Sequence, residues 1–276
     1  MTMIRILIAL LFLGNFINSQ TIDRTGQGYF YWGYNRSFYG QSDIRIIGDG
    51  YDFTIYDVMA RDRKTDWDPK IYFHPAKLTI PQFNFRLGYY LKSNLSVSFG
   101  WDHMKYVQDD YQVVNITGTI DEELSPVYGG TYVDGDRITL DPNNFLHIEH
   151  TDGLNYVRFN IDKHQELFNW WKDRIQMSLL IGAGTGVMMP QTDFTFLGQR
   201  TNNNGLPRIQ GFAVSTNYGI KFDFFKHFYL QFIGHNGYIN MPWVVTRGAA
   251  DDRAKQGIWF IEYMGVFGAY FPIKTN

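Results

Sequence analysis

Residues 81–107 read PQFNFRLGYYLKSNLSVSFGWDHMKYV, and the reading of this stretch decides the fold. Phe83, Phe85, Leu87, Tyr89 and Leu91 alternate with Gln82, Asn84, Arg86 and Gly88. After Lys92, Ser93 and Asn94, the set Leu95, Val97, Phe99 and Trp101 alternates with Ser96, Ser98, Gly100 and Asp102. Period-two alternation puts each set on its own face of a strand, and the short break makes an antiparallel hairpin. Each run has about the ten residues that cross a bilayer as a tilted strand. The apolar set is rich in aromatic rings. The polar set mixes small residues with charges, which suits a narrow wet lumen. The pattern predicts a strand pair with one face in lipid.

Working outward, the same alternation recurs over 174–189, 209–225, 227–240 and 257–272, and less cleanly over 51–61 and over 155–162 within an eighth segment, 145–162. The eight segments are joined by short connections at 92–94 and near 226, a medium one at 163–173, and long ones at 62–80, 108–144, 190–208 and 241–256. Short periplasmic turns and long outer loops are the habit of outer-membrane barrels. The predicted fold is an all-β, transmembrane, antiparallel up-and-down β-barrel with eight strands and long extracellular loops. The stretch 28–48 is left over; it extends the first strand, adds a pair to make ten, or enters the lumen. The segment KHQELFNWWKDR, 163–174, reads as one or two helical turns at the periplasmic rim, or as a plain turn.

The N-terminus MTMIRILIALLFLGNFINSQ carries Arg5 and then an apolar run from Ile6 to Leu13. That is the layout of a secretory signal peptide, expected at 1–19, with 20–276 as a single barrel domain. The apolar run is short of the roughly 20 residues a spanning helix needs. The chain has 276 residues, 27 acidic and 25 basic side chains and no cysteine. A net charge of −2 gives nucleic acid no basic footprint to bind. The lack of cysteine excludes disulfides, thiolate metal sites and a cysteine nucleophile. Mean hydropathy is only −0.27, as expected when apolar and polar residues alternate.

The aromatic, cysteine-free strands, the closing GVFGAYFPI and the phrases WGYNRSFYG, WDHMKYV and HTDGLNYV resemble small outer-membrane β-barrel proteins of the Bacteroidota. The resemblance implies the barrel fold and an integral place in the bacterial outer membrane. It assigns no catalytic residues, because such barrels include enzymes, adhesins and accessory subunits.

Three constellations bear on chemistry. In HIEHTDGLN, 147–155, apolar parity is even before (Leu146, Ile148) and odd after (Val157, Phe159, Ile161). A one-residue slip is expected there, as a bulge at Asp152–Gly153. It would gather His147, Glu149, His150 and Asp152, a candidate divalent-metal set, with His150 as a candidate base; the alternative is a solvated strand end. Second, His235 shares the lumen face with Ser215 and Glu262, the residue types of a hydrolase triad; the alternative is a lumen hydrogen-bond network. In WDHMK, 101–105, Asp102 and His103 fall on opposite faces and cannot act together. Third, Arg86, Arg158 and Lys221 against Asp102, Asp223 and Glu262 make a self-neutralising lumen set. Eight strands leave a bore just wide enough for side chains to fill.

The leading reading is a non-enzymatic barrel of structural, ligand-binding or complex-accessory type, its lumen filled by charged side chains. The alternatives are an outer-leaflet lipid-modifying hydrolase, acting as a lipid A deacylase or phospholipase, and a narrow pore. Expected partners are outer-membrane lipid, lipopolysaccharide and other outer-membrane proteins, not nucleic acid. The cofactor, if there is one, is unknown at this stage.

Overall fold

The computed structural model describes residues 22–171, 174–203, 205, 208–248 and 251–273; the expected signal peptide lies outside them. The chain enters as β1 (Gln27–Tyr39), then forms β2 (Ser42–Gly48), β3 (Tyr51–Val58), β4 (Ala60–Arg61) and a short helix α1 (Pro69–Tyr72). It returns through β5 (Phe83–Lys92) and β6 (Leu95–Gln108). Three strands, β7 (Val113–Ile120), β8 (Gly130–Tyr132) and β9 (Arg137–Thr139), precede β10 (Leu146–Trp170) and β11 (Ile175–Pro190). A small hairpin, β12 (Thr192–Phe196) and β13 (Gln199–Asn203), leads to β14 (Gly211–Phe224), β15 (Phe228–Val245) and β16 (Arg253–Pro272).

The strands β1, β5, β6, β10, β11, β14, β15 and β16 pair antiparallel in that order, and β16 closes the ring on β1. Register fixes the geometry of closure. Neighbours run from Met177 through Phe222, Leu230, Phe267, Trp32, Phe85 and Trp101 to Val157, and return to β11 at Val187. The return point is ten residues along from the start. With about 3.3 Å per residue and about 4.8 Å between strands, that stagger tilts eight strands by about 40°. Between β14 and β15, Phe225 and Lys226 both have positive φ (52° and 66°), the conformation a tight hairpin turn requires. The tight turns and both described chain ends lie at one end, the turn end; the long connections lie at the other, the loop end.

Every residue in that walk faces outward, and the outer face is apolar all round. Phe159, Ile181, Phe232 and Trp259 are each at least 60% exposed. A closed apolar belt of this extent faces lipid, because water would make it an aggregation surface.

The interior changes character along its length. From Leu146 to His164 the even-numbered residues of β10 face inward, apart from Asp152 in the irregular stretch. Toward the turn end they are Arg158, Asn160, Asp162 and His164; toward the loop end they are Leu146, Ile148, Leu154 and Tyr156. The loop-end strands add to that apolar part. β2 takes over the edge of β16 that β1 leaves, and β3, β7 and β8 continue the sheet. The hairpin β12–β13 docks on the start of β10. Together they enclose a dry core with Ile44, Phe53, Phe145, Phe194 and Phe196, where each fully buried ring contributes about 2 kcal/mol.

Four expectations are corrected. Segment 51–61 is not a wall strand: its Tyr51, Phe53 and Ile55 point into the loop-end core. The wall strand is 27–39, within the stretch left over, while 42–48 joins the loop-end sheet. The stretch 163–170 continues β10 as strand, with no helical turn. The irregularity near Gly153 does not slip the pleat by one. His150 faces Tyr106 and Leu154 faces Met104, so β10 spends four residues where β6 spends two, and parity is kept.

Candidate functional site

The lumen collects most of the candidate residues, because strand parity aims them inward and nothing else satisfies them there. Arg86 makes a two-point contact to Asp102, both bonds 2.7 Å. Arg158 reaches Asp102 at 3.3 Å from the far side. Its second amino group donates to Ser215 Oγ and Asn217 Oδ1, each at 2.7 Å. Glu262 accepts from Asn84 Nδ2 at 2.9 Å and lies 3.0 Å from His235 Nδ1. Nearer the turn end, Lys221 donates to the hydroxyls of Tyr90 and Tyr270, both 2.9 Å, and Arg24 donates to Asp223 at 2.9 Å. All these ions are 4% exposed or less, so only mutual pairing makes their burial tolerable.

Two glycines make room for the arginines. A Cβ at Gly100 would lie 2.8 Å from the Arg86 guanidinium, and one at Gly184 would fall on that of Arg158. The sequence pattern therefore spends small residues where the large ions cross the bore. The space left beside them is about 20 Å³, room for about one water.

This arrangement takes the expected triad apart. Ser215 stands opposite Gly237, while His235 stands opposite Asn217. Among the described residues no hydrogen bond joins Ser215 to His235; Arg158 binds both, with 3.0 Å to His235 Nδ1. That nitrogen is engaged by Arg158 and by Glu262, so it is not placed to take a proton from the serine. Only the His235–Glu262 pair forms as expected. One ligand atom each from Asp102, His235 and Glu262 lie within 4.8 Å of one another, the spacing of a metal site. Two guanidinium groups already hold Asp102, so a cation there would have to displace them.

The 147–152 set is also divided. His147 and Glu149 face outward, with His147 Nε2 3.6 Å from Glu149 Oε2, and Arg63 bonded to the same carboxylate at 3.3 Å. The neighbouring His147 imidazole, ahead of Thr151 and Arg63, holds the Glu149 carboxyl below its usual range. His150 faces inward, fully buried, with Nδ1 3.0 Å from Thr192 Oγ1. Burial lowers its pKa to about 4 and keeps it neutral. Asp152 sits exposed in the irregular turn. The four residues do not converge on a common point, because parity sends His147 and His150 to opposite faces. Asp102 and His103 also lie on opposite faces: His103 faces out, bonded to Asn155 and stacked on Phe83.

Sequence reading missed Arg24, which precedes the first strand and carries no periodicity signal, and missed the residues of a cleft on the outer wall. That cleft lies between the 62–82 connection and the wall, with Arg36 and Tyr72 on one side and Phe232 and Tyr263 on the other.

The ring, the lipid-facing belt and the filled bore define a transmembrane β-barrel of the outer-membrane type. Two solved structures that it is similar to, AlkL and OprG, are described as outer membrane proteins. The chain is similar to the attachment invasion locus protein Ail of Yersinia pestis at 14% identity and TM-score 0.30, covering 90% of this chain and 99% of that one. It is similar to the outer membrane protein AlkL at 12% identity and TM-score 0.39, covering 95% and 98%. OprG of Pseudomonas aeruginosa stands at 10% identity and TM-score 0.39, covering 91% and 98%. No protein-family model and no curated protein matches the chain.

Proposed function

We propose that this protein is a non-enzymatic, non-conducting outer-membrane barrel that anchors and presents its loop-end β-structure at the cell surface, for binding or as an accessory of a larger membrane assembly. One observation carries the reading. The interior is filled continuously, by paired ions from Arg24 to Glu262 and then by the apolar core up to Phe196. Among the described residues no open bore is left and the lumen hydroxyl of Ser215 is held by Arg158, so the surfaces are what the molecule has to work with. Placing the loop end outside follows the habit of such barrels, which keep tight turns in the periplasm. The likeness to small Bacteroidota barrels rests on the sequence phrases alone.

The test combines three measurements on one expressed protein. A single cysteine in place of exposed Glu123, in a chain that has none, should react with a membrane-impermeant maleimide on intact cells. Planar bilayers holding the purified barrel should show no conductance steps. Mass spectrometry of outer-membrane lipids should show the same acyl chains with and without the protein. An acyl chain lost only while His150 or His235 is intact would replace this reading with a lipid hydrolase. Reproducible conductance steps would replace it with a pore.

A further inference from the structure

We infer that the cleft between the 62–82 connection and the barrel wall is a binding site for an anionic phospholipid, with the head group on Arg36 and a hydrocarbon chain along the wall. This goes beyond the surface-presenting role and does not depend on which partner the loops bind.

The connection does not stand clear of the barrel. Asp68 caps α1 by accepting from the Lys70 amide at 2.8 Å, and Pro69 opens its first turn, as helix starts prefer. The helix is then pinned to the outer face of β1: the Tyr34 hydroxyl donates to the Tyr72 carbonyl at 2.5 Å, and Arg36 donates to the Tyr72 hydroxyl at 3.0 Å. Lys105 holds the far end of the connection through the Ile80 carbonyl at 3.1 Å. Trp67 and Phe73 are exposed and meet edge to face, and Trp67 lines the cleft, as interfacial side chains do at the lipid boundary.

The cleft that results measures about 770 Å³ and opens sideways, toward lipid. Its floor is the outer face of β15 and β16 at Gly234 and Gly265. The Tyr218 ring lies over Gly234, where a Cβ would come within 2.5 Å of it. At Gly265 the nearest atom to a Cβ would be a Phe232 ring carbon at 3.6 Å, so the floor is open there. The rings of Phe232 and Tyr263 border a furrow whose bare backbone at Gly265 leaves room for a chain of methylenes.

The polar end is set by Arg36. It faces outward on β1, opposite Tyr263, four residues short of the exposed Trp259 on β16. β1 rises from the turn end, so Arg36 lies near the loop-end limit of the lipid belt. It donates to the Asn35 carbonyl at 2.6 Å and to Tyr72, which leaves three of its five N–H groups for a ligand. Asp62 feels its charge, but among the described residues no carboxylate comes within ion-pair distance of it. A lipid-facing cation is destabilising unless compensated, and guanidinium matches a phosphate in a two-point contact. The furrow and the phosphate contact suit any phospholipid, but a guanidinium with no carboxylate among the described residues at ion-pair distance repels the choline cation of a zwitterionic head and so favours an anionic phospholipid.

The experiment uses the whole folded protein in mild detergent micelles containing equal amounts of phosphatidylglycerol and phosphatidylcholine. Native mass spectrometry then counts the lipids that stay bound. The wild type should retain one phosphatidylglycerol with about tenfold preference over phosphatidylcholine. Arg36→Gln should bring the preference close to parity, and Arg36→Lys should keep part of it. Gly265→Phe, which fills the furrow and leaves the cation, should lower retention of both lipids. The mobility of unheated protein on electrophoresis checks that each variant is folded. Equal retention of the two lipids by the wild type would overturn the inference. An unchanged preference in a folded Arg36→Gln variant, or unchanged retention in a folded Gly265→Phe variant, would do the same.

Discussion

Replacing Asp102 with Asn removes one negative charge from the centre of the bore and almost no volume. Asp102 takes two bonds at 2.7 Å from Arg86 and one at 3.3 Å from Arg158, and all three side chains are 1% exposed or less. The amide keeps one acceptor but turns its –NH₂ toward a guanidinium. Two buried cations are then left with Glu262 and Asp162 as the carboxylates near them. Breaking one buried ion pair costs about 3–5 kcal/mol, mainly through the stranded charge. We expect Asp102→Asn to lower unfolding free energy by about 4 kcal/mol. The assay is urea unfolding in lipid vesicles, followed by tryptophan fluorescence and by the mobility of unheated protein. Arg86→Gln combined with Asp102→Asn removes the pair together, so the double variant should recover at least half of the loss. A loss below about 1 kcal/mol for Asp102→Asn, or a double variant as unstable as the two single losses added, would refute the view that the bore is held by mutual charge pairing.

Three further outcomes follow from particular residues. His150 is buried with its pKa lowered to about 4 from 6.5, so the folded state resists its protonation while the unfolded chain accepts it. Its contribution is present above pH 6.5 and is lost as pH falls toward 4, by about 3 kcal/mol in all; His150→Gln should flatten unfolding free energy across that window, and parallel curves would contradict it. Gly184→Val drives a side chain into the Arg158 guanidinium and should lower stability by about 1–3 kcal/mol, read from the urea midpoint; an unchanged midpoint would show that the bore has slack. Asp52→Asn cuts an ion pair whose side chains are 48% and 45% exposed, where water screens the charges; a loss of no more than about 1 kcal/mol is expected, and 3 or more would mean that exposure does not govern these pairs.

The wall strands were legible wherever the two faces differ in chemistry. In β5, β6 and β14 the outward residues are mostly apolar and the inward ones within the belt mostly small, polar or charged. β1 was passed over because Tyr29 and Tyr31 point into the bore while Phe30 and Trp32 point outward, so both faces read as aromatic. β3 was mistaken for a wall strand because Tyr51, Phe53 and Ile55 alternate as lipid-facing residues would. Apart from Arg24, the ion set of the lumen was readable from parity alone, since residues on one face of a closing sheet must meet in its centre. Who pairs with whom was not: Arg158 standing between Ser215 and His235 depends on the ten-residue stagger around the ring. The Arg36 cleft had no sequence signal, because it needs the 62–82 connection to fold back on a wall strand.

Alternation along the chain determined which side chains share a face, the run lengths that span a bilayer, and the match of charges in the bore. It did not determine which medium each face meets. The apolar set of β10 changes from even to odd numbers near Gly153, and the sequence alone reads this as a slipped pleat. The tertiary structure shows one continuous inward face, lined by Leu146 and Ile148 at the loop end and by Arg158 and Asp162 within the membrane belt. The outside changes from water to lipid over that distance, and the inside takes the opposite polarity each time. Burial depends on what surrounds the barrel as well as on the pleat, and only the closed fold establishes where that surrounding changes.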